Sequence, residues 1–291
     1  MHRLDLGASD ASSELEHILR DERIDAVVNL AGSKDRASAA TEPLRHIDEQ
    51  LRIASSVLVA MRAAGIQRLV HASTAAVYAA ADVPLAETSP VGPTGPYGHA
   101  ALAAERLVQA ECEAAGLSAI VLRHFLVLGA AHPVLIDASA QTIVSMAFAD
   151  LAAGRAPRIH GSDYSTFDGT CVRDVVHVVD VAEVHVLALE MLTQRADGFH
   201  VYNVGTGVGT SVRSLVEGVR ARFPDAPAAV VLPRRAHDIE VVVADIARVS
   251  RDLDWRPRLT VDDMLDSAVG AVLASGQKGS RDDGSHHGRS R

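Results

Sequence analysis

The stretch GPYGHAALAAERL, Gly95–Leu107, sets a phenol at the opening of a helix, behind Pro96 and ahead of a turn of small residues. Proton transfer is the chemistry open to a phenol so placed. Packing at a helix start is the plainer reading of the residue by itself. Four residues on, on the same helix face, stands Ala101, which carries no charge. Thr74, at the end of QRLVHAST, reads alone as a turn former. Arg173 and Arg235 have the planar fork that suits phosphate, or they are solvated surface residues. Lys34, in AGSKD, is one of two lysines in the chain, the other being Lys278. The fourteen histidines raise the question of a metal. Only His286–His287 show ligand-like spacing, at the far end of the chain, so no metal site is expected.

Positioning these groups falls to short apolar runs that alternate with helical stretches, the pattern of an α/β protein with a parallel sheet covered on both faces. DAVVNLAG (25–32), QRLVHAS (67–73), SAIVLRHF (118–125) and HVYNVGTG (200–207) read as strands. Residues 44–64 read as a helix closed by Gly65, and 97–115 as one closed by Gly116. Further helices are expected to end near Gly154 and to span 181–192 and 212–223. The glycines of NVGTGVGTS lie too late in the chain for a dinucleotide turn and read as a structural turn. Residues 275–291 lack apolar periodicity and read as a disordered tail.

Bulk properties narrow the class. The chain has 291 residues, 48% hydrophobic and 22% charged, with a net charge of −9. That balance argues against a nucleic-acid surface, which needs clustered positive charge. Two cysteines cannot build a disulfide framework and suit a reducing cytoplasm. No apolar run reaches the roughly 18 residues that span a bilayer, so no membrane role is expected.

The segments NLAGSKD, AMRAAGIQRLVHASTAAVY, GPYGHA, GSDYSTFDGTCVRDVVHVVDVAEVHVLALE, YNVGTGVGTSV and PRRAHDIEVVVADIARVSRDLDW run in one order. In that order and spacing they resemble the extended short-chain dehydrogenase/reductases, the NAD-dependent epimerase/dehydratase family, and within it the UDP-glucose 4-epimerases. The likeness covers residues 7–274. It implies NAD as cofactor, a UDP-sugar as substrate, and interconversion of UDP-hexoses at C4 by hydride transfer. It also allows a homodimer. By the resemblance Tyr97 matches the catalytic base and Thr74 its hydroxyl partner, both against the sugar. Ala31, Gly32, Lys34, Gln50, Ser73, Tyr97 and His124 match the cofactor side. Arg173, Arg235, Asp238 and Val242 match the substrate side. The implied fold is a Rossmann-like doubly wound parallel sheet with a smaller α/β substrate-binding domain. The NAD-binding domain is expected over 1–160, with 173–205 returning to it, and the substrate domain mainly over 206–274.

Five departures from the family pattern bear on activity. The family motif is Tyr-x-x-x-Lys, and Ala101 stands at the lysine. A free phenol, with a pKa of about 10, leaves about one phenolate in a thousand at pH 7. His124 and Leu126 replace a tyrosine and an asparagine, and Gln50 replaces an asparagine. Nothing before Asp25 offers a glycine-rich phosphate turn. The expected sheet therefore lacks the family's N-terminal βαβ unit, roughly thirty residues or more. The two functions that follow are an epimerase of doubtful activity and a non-catalytic protein that binds a UDP-sugar or a partner chain. A 4,6-dehydratase is disfavoured, because Thr74-Ala75-Ala76 offers no carboxylate pair.

Overall fold

The computed structural model of the chain describes residues 2–80, 84–135, 139, 141–194, 198–235 and 238–279. In chain order the helices are α1 (Ala11–Asp21), α2 (Arg36–Thr41), α3 (Pro43–Ala64), α4 (Pro96–Ala115), α5 (Ile143–Ala152), α6 (Val178–Gln194), α7 (Val212–Arg220), α8 (Ala247–Leu253) and α9 (Val261–Gly279). The strands are β1 (Val27–Asn29), β2 (Arg68–Thr74), β3 (Ser118–His124), β4 (Leu126–Leu128), β5 (Arg158–His160), β6 (Val172–His177), β7 (Phe199–Val204), β8 (Gly209–Ser211), β9 (Val230–Leu232) and β10 (Val241–Val242). Two compact units emerge. Unit 1 gathers Met1–Phe125, Val181–Val208 and Val241–Arg256; unit 2 gathers Leu126–Asp180, Gly209–Glu240 and Pro257–Arg291.

Unit 1 is built on a parallel sheet in the order β1-β2-β3-β7. Six of the seven β3 residues are buried, as a strand covered on both faces requires. Proline opens and glycine closes its two long helices. Pro43 starts α3 and Gly65 ends it at φ +76°; Pro96 starts α4 and Gly116 ends it at φ +68°. Both glycines take the left-handed turn that frees the chain from the helix. Leu58, Met61, Leu69, Val108 and Val121 form the core under these helices, with Leu19 of α1 added. The strand expected over 25–32 pairs over three residues only. β1 is the outer strand, bonded to β2, with Val28 39% exposed in it and Leu30, just past its end, 65% exposed.

One side chain ties the scattered segments of unit 1 together. The Asn203 amide donates to the Leu85 carbonyl at 2.7 Å and the Asp245 carbonyl at 3.3 Å, while its oxygen accepts from the Tyr78 hydroxyl at 2.6 Å. The Glu87 carboxylate accepts from its backbone N–H at 2.8 Å. Asn203 is wholly buried, so satisfying each polar atom is what makes it tolerable there.

In unit 2, β4 and β6 pair in parallel, β6 and β8 antiparallel, and β5 and β9 in parallel. Helices α5, α7 and α9 bury Phe148, Leu215 and Leu265 against Leu128 and Val175. Gly205 and Gly207 of NVGTGVGTS lie in the turn between β7 and β8, Gly209 opens β8, and Ser211 caps α7 by accepting from the Ser214 N–H. Residues 126–160, expected with the first domain, lie in unit 2, and 241–256, expected with the second, lie in unit 1. The tail expectation needs correcting at its start. Once α9 has nucleated over its apolar face, each added residue gains a backbone hydrogen bond, and the helix runs through Ser275–Gly279. Residues 280–291, with His286 and His287, lie outside the described residues. Helix α7 stops at Arg220, three residues early, and Phe223 then packs edge-on to Phe148 at 6.1 Å. No helix among the described residues is long and apolar enough to cross a membrane.

Candidate functional site

Parallel pairing brings the carboxyl ends of β1, β2 and β3 to one edge of the sheet, where open α/β folds take ligands. Register fixes the neighbours: Asn29 pairs with His71 and Thr74 with His124. A cleft of about 320 Å³ opens at this edge, within the usual size of small-molecule sites. Ala31, Gly32, Lys34, Gln50, Ser73, Thr74, Tyr97 and His124 all line it. Asn29, His71 and Ala101 line it too.

Tyr97 and Thr74 reach the cleft because two turns are pressed together behind them. The Thr74 hydroxyl accepts from the Ala76 N–H at 3.2 Å and so caps the single 3-10 turn Ala75–Val77. The first turn of α4 rests on that turn through Gly98. A Cβ at Gly98 would lie 2.2 Å from the Ala76 carbonyl oxygen and 2.9 Å from Pro93. Only a glycine permits so close an approach.

The floor of the cleft is tied to a buried ion pair. Ser73 Oγ donates to Glu105 Oε1 at 2.5 Å, and Arg123 grips both carboxylate oxygens, Nε to Oε1 at 3.0 Å and Nη2 to Oε2 at 2.7 Å. Arg123 also lies 4.8 Å from the centre of the Tyr78 ring. Burial opposes the Arg123 charge, but its hydrogen bonds and charge pairing with Glu105 outweigh that and raise its pKa.

Three histidines meet at the cleft wall, His71 and His124 lining it and His185 beside His124. Burial lowers His71 to about 4, against the pull of Glu105. Burial, with His185 and His71 as neighbours, lowers His124 to about 3. His185 is lowered by burial too, in part offset by its hydrogen bond to the Val181 carbonyl. That carbonyl can only accept, so His185 carries its proton on Nδ1 and leaves Nε2 bare. The His124 and His185 rings are 5.0 Å apart. Neutral His124 therefore borders the cleft without placing a positive charge there.

Polar atoms without partners also face this region. Gln50 Nε2 and His124 Nε2 are buried and make no hydrogen bond within the described residues. The other end of the Gln50 amide fills the space beside Gly32, where a Cβ would come within 2.7 Å of Oε1. Buried polar groups are normally satisfied, so a polar ligand fits these walls. Ala101, by contrast, belongs with Val242 to an apolar cluster around Ala75, Val77, Tyr78, Leu85 and Phe125. Its methyl is at home there.

Unit 2 holds the other candidates. Arg173 Nη1 donates to the Ile239 carbonyl at 2.8 Å and Nη2 lies 3.8 Å from Asp238 Oδ1. Arg235 is exposed, with Nη2 3.5 Å from Met146 Sδ. His160 feels two of these charges: burial and Arg235 lower its pKa, while a hydrogen bond to the Pro233 carbonyl and the charge of Asp238 oppose this. Leu126, where the family has an asparagine, packs on the unit 2 core. Sequence reasoning missed Glu105, Arg123, His71 and His160. Glu105 had a signal, since it lies two helical turns beyond Tyr97 on one face.

Residues 1–205 match the NAD dependent epimerase/dehydratase family. The chain is 36% identical over 280 residues to a UDP-glucose 4-epimerase of Azospirillum brasilense, covering 93% of this chain and 77% of that one. It is 36% identical over 237 residues to the UDP-glucose 4-epimerase of Streptomyces lividans, covering 80% and 71%. The structure superimposes on the Stenotrophomonas maltophila UDP-glucose 4-epimerase, solved with NAD and a formylated UDP-arabinopyranose, with a TM-score of 0.86 at 32% identity; 95% of this chain and 83% of that one are covered. For the Bifidobacterium longum enzyme, solved with NAD and UDP, the TM-score is 0.85 at 27% identity, with 94% and 83% covered. A parallel sheet ending in a cleft that gathers a tyrosine, a threonine and a lysine, read with these likenesses, makes the chain a member of the NAD-dependent epimerase/dehydratase family.

Proposed function

We propose that this chain is a UDP-hexose 4-epimerase of low turnover. One observation carries the reading: Tyr97 and Thr74 share a cleft with every cofactor-side candidate, while Ala101 presents a methyl to it where the family motif has a lysine. Unit 1 is read as the NAD-binding part. The unpaired amide of Gln50 and the neutral ring of His124 are the groups that fit a cofactor of mixed polar and aromatic character. NAD, when bound, supplies the acceptor for the hydride on the sugar's C4. Tyr97 takes the proton of the 4-hydroxyl, and Thr74 holds that hydroxyl by a hydrogen bond. Arg173, Arg235 and Asp238 are read as the groups for the UDP pyrophosphate and ribose, to which an arginine fork can donate two parallel hydrogen bonds. Val242, a short side chain, leaves room for an N-acetylated sugar.

Without a lysine on α4 no cation stands on the helix face of Tyr97, which is why low turnover is expected. The test is conversion of UDP-galactose by the purified chain. Slow conversion with NAD retained through purification supports the proposal; conversion at a rate ordinary for enzymes, about 10 per second, sinks the low-turnover part.

The seating of Ala101 in an apolar cluster favours a second reading, a non-catalytic protein that binds a UDP-sugar or a partner chain. Separate titrations with NAD and UDP divide the two. Binding of UDP without NAD selects the non-catalytic reading.

A further inference from the structure

Tyr97 is the one tyrosine of four that is not buried, since Tyr78, Tyr164 and Tyr202 are 1%, 5% and 0% exposed. Two groups from other elements lie against its ring. The guanidinium carbon of Arg36, in the first turn of α2, is 5.2 Å from the ring centre. The ring of His46, buried on α3, is 6.1 Å away and tilted by 44°. The Asp35 carboxylate caps α2 by accepting from the N–H groups of Ala37 at 3.0 Å and Ser38 at 2.9 Å, which sets the backbone from which the exposed Arg36 side chain starts. Among the described residues the cleft wall beside Tyr97 contains no carboxylate. Its charge-capable members are Lys34, His71 and His124, the last two held neutral.

We infer that Arg36 stands in for the missing lysine as the positioning cation of Tyr97. This rests on the reading of Tyr97 as the base. A guanidinium is charged at every working pH and is attracted to an aromatic face within about 6 Å. A phenolate spreads its charge into the ring, so the attraction strengthens as the proton leaves. A lysine at position 101 would reach the phenol along its own helix; Arg36 comes to the ring face from a different one. The same contact fixes the ring plane against His46.

Nitration by tetranitromethane reads this directly, because the reagent attacks phenolate and needs neither NAD nor sugar. The full chain is treated at one mildly alkaline pH, and modification at Tyr97 is followed by peptide mass mapping. Arg36→Met is expected to nitrate at Tyr97 roughly two- to fivefold more slowly than the parent, the ratio that an exposed cation–π contact produces. Arg36→Lys should restore most of the rate. If Arg36 merely shielded the ring, its removal would speed nitration, and an unchanged or faster Arg36→Met overturns the inference. The three buried tyrosines report an intact fold by staying unmodified. Should Arg36→Met expose them, Arg36→Gln serves as the variant and the same two outcomes decide. A chain with no epimerase activity would count against the proposed function and leave this measurement intact.

Discussion

Glu105 and Arg123 form a two-pronged ion pair inside unit 1, with side chains 3% and 7% exposed, and the Ser73 hydroxyl joins it by donating to Glu105. Such a pair gains little over a well-packed apolar one, but removing one partner strands a buried charge. Glu105→Leu is therefore expected to cost about 3–5 kcal/mol in urea unfolding. Glu105→Leu combined with Arg123→Met should recover much of that loss. A single variant as stable as the parent would show that the pair is dispensable.

Acid should weaken the fold earlier than its carboxylates alone require. His71 and His124 sit at about 4 and about 3 in the folded chain, against about 6.5 when exposed. Both rings take up a proton on unfolding at any pH between those values, so unfolding consumes protons there. Their contribution is complete above pH 6.5 and is lost as pH falls toward 4 and then 3, at roughly 1.4 kcal/mol per pH unit for each ring. The expected result is a urea midpoint that falls steeply below pH 6.5. Replacing both rings by phenylalanine should flatten that fall.

Ala101→Lys should raise the rate of UDP-galactose conversion above that of the parent. The ammonium would enter beside Ala75, Val77 and Phe125, so a loss of stability should accompany the gain. An unchanged rate in a folded variant would place the deficit at Gln50, His124 or the phosphate side instead.

Gly98→Ala tests how Tyr97 is set beside Thr74. Its new methyl meets a backbone carbonyl at 2.2 Å, which no rotamer change can relieve. The first turn of α4 must lift off, at a cost of about 1–3 kcal/mol. Thermal unfolding should show it. An alanine accepted without loss would mean that the contact between the two turns is not what positions the phenol.

Much of the scaffold was legible because its signals are local. Pro43 and Gly65, and Pro96 and Gly116, bound α3 and α4 within a residue of expectation, since a missing N–H and a left-handed turn act where they stand. SAIVLRHF read as a strand from the apolar run Ala119 to Leu122. Helix α1 escaped notice, because only Ala11 and Leu19 are fully buried on it and its composition is polar. The cleft residues were found through family likeness, not periodicity. The ion pair of Glu105 with Arg123, and the three histidines, join residues from separate elements, and pairings across the fold leave no trace in spacing. The unit boundary at Phe125 was missed for the same reason: β3 and β4 are separated by one residue yet enter different sheets.

Asn203 fastens the chain near residue 85 to the chain near residue 245, and Trp255, 1% exposed, is among the last residues buried in unit 1. On a ribosome this has a cost in time. Synthesis at about 5–20 residues per second delivers the sheet well before the segment that locks it. For that interval the Asn203 N–H that ends on the Asp245 carbonyl must find water or a chaperone, and nascent-chain proteolysis should end only once Trp255 has cleared the exit tunnel.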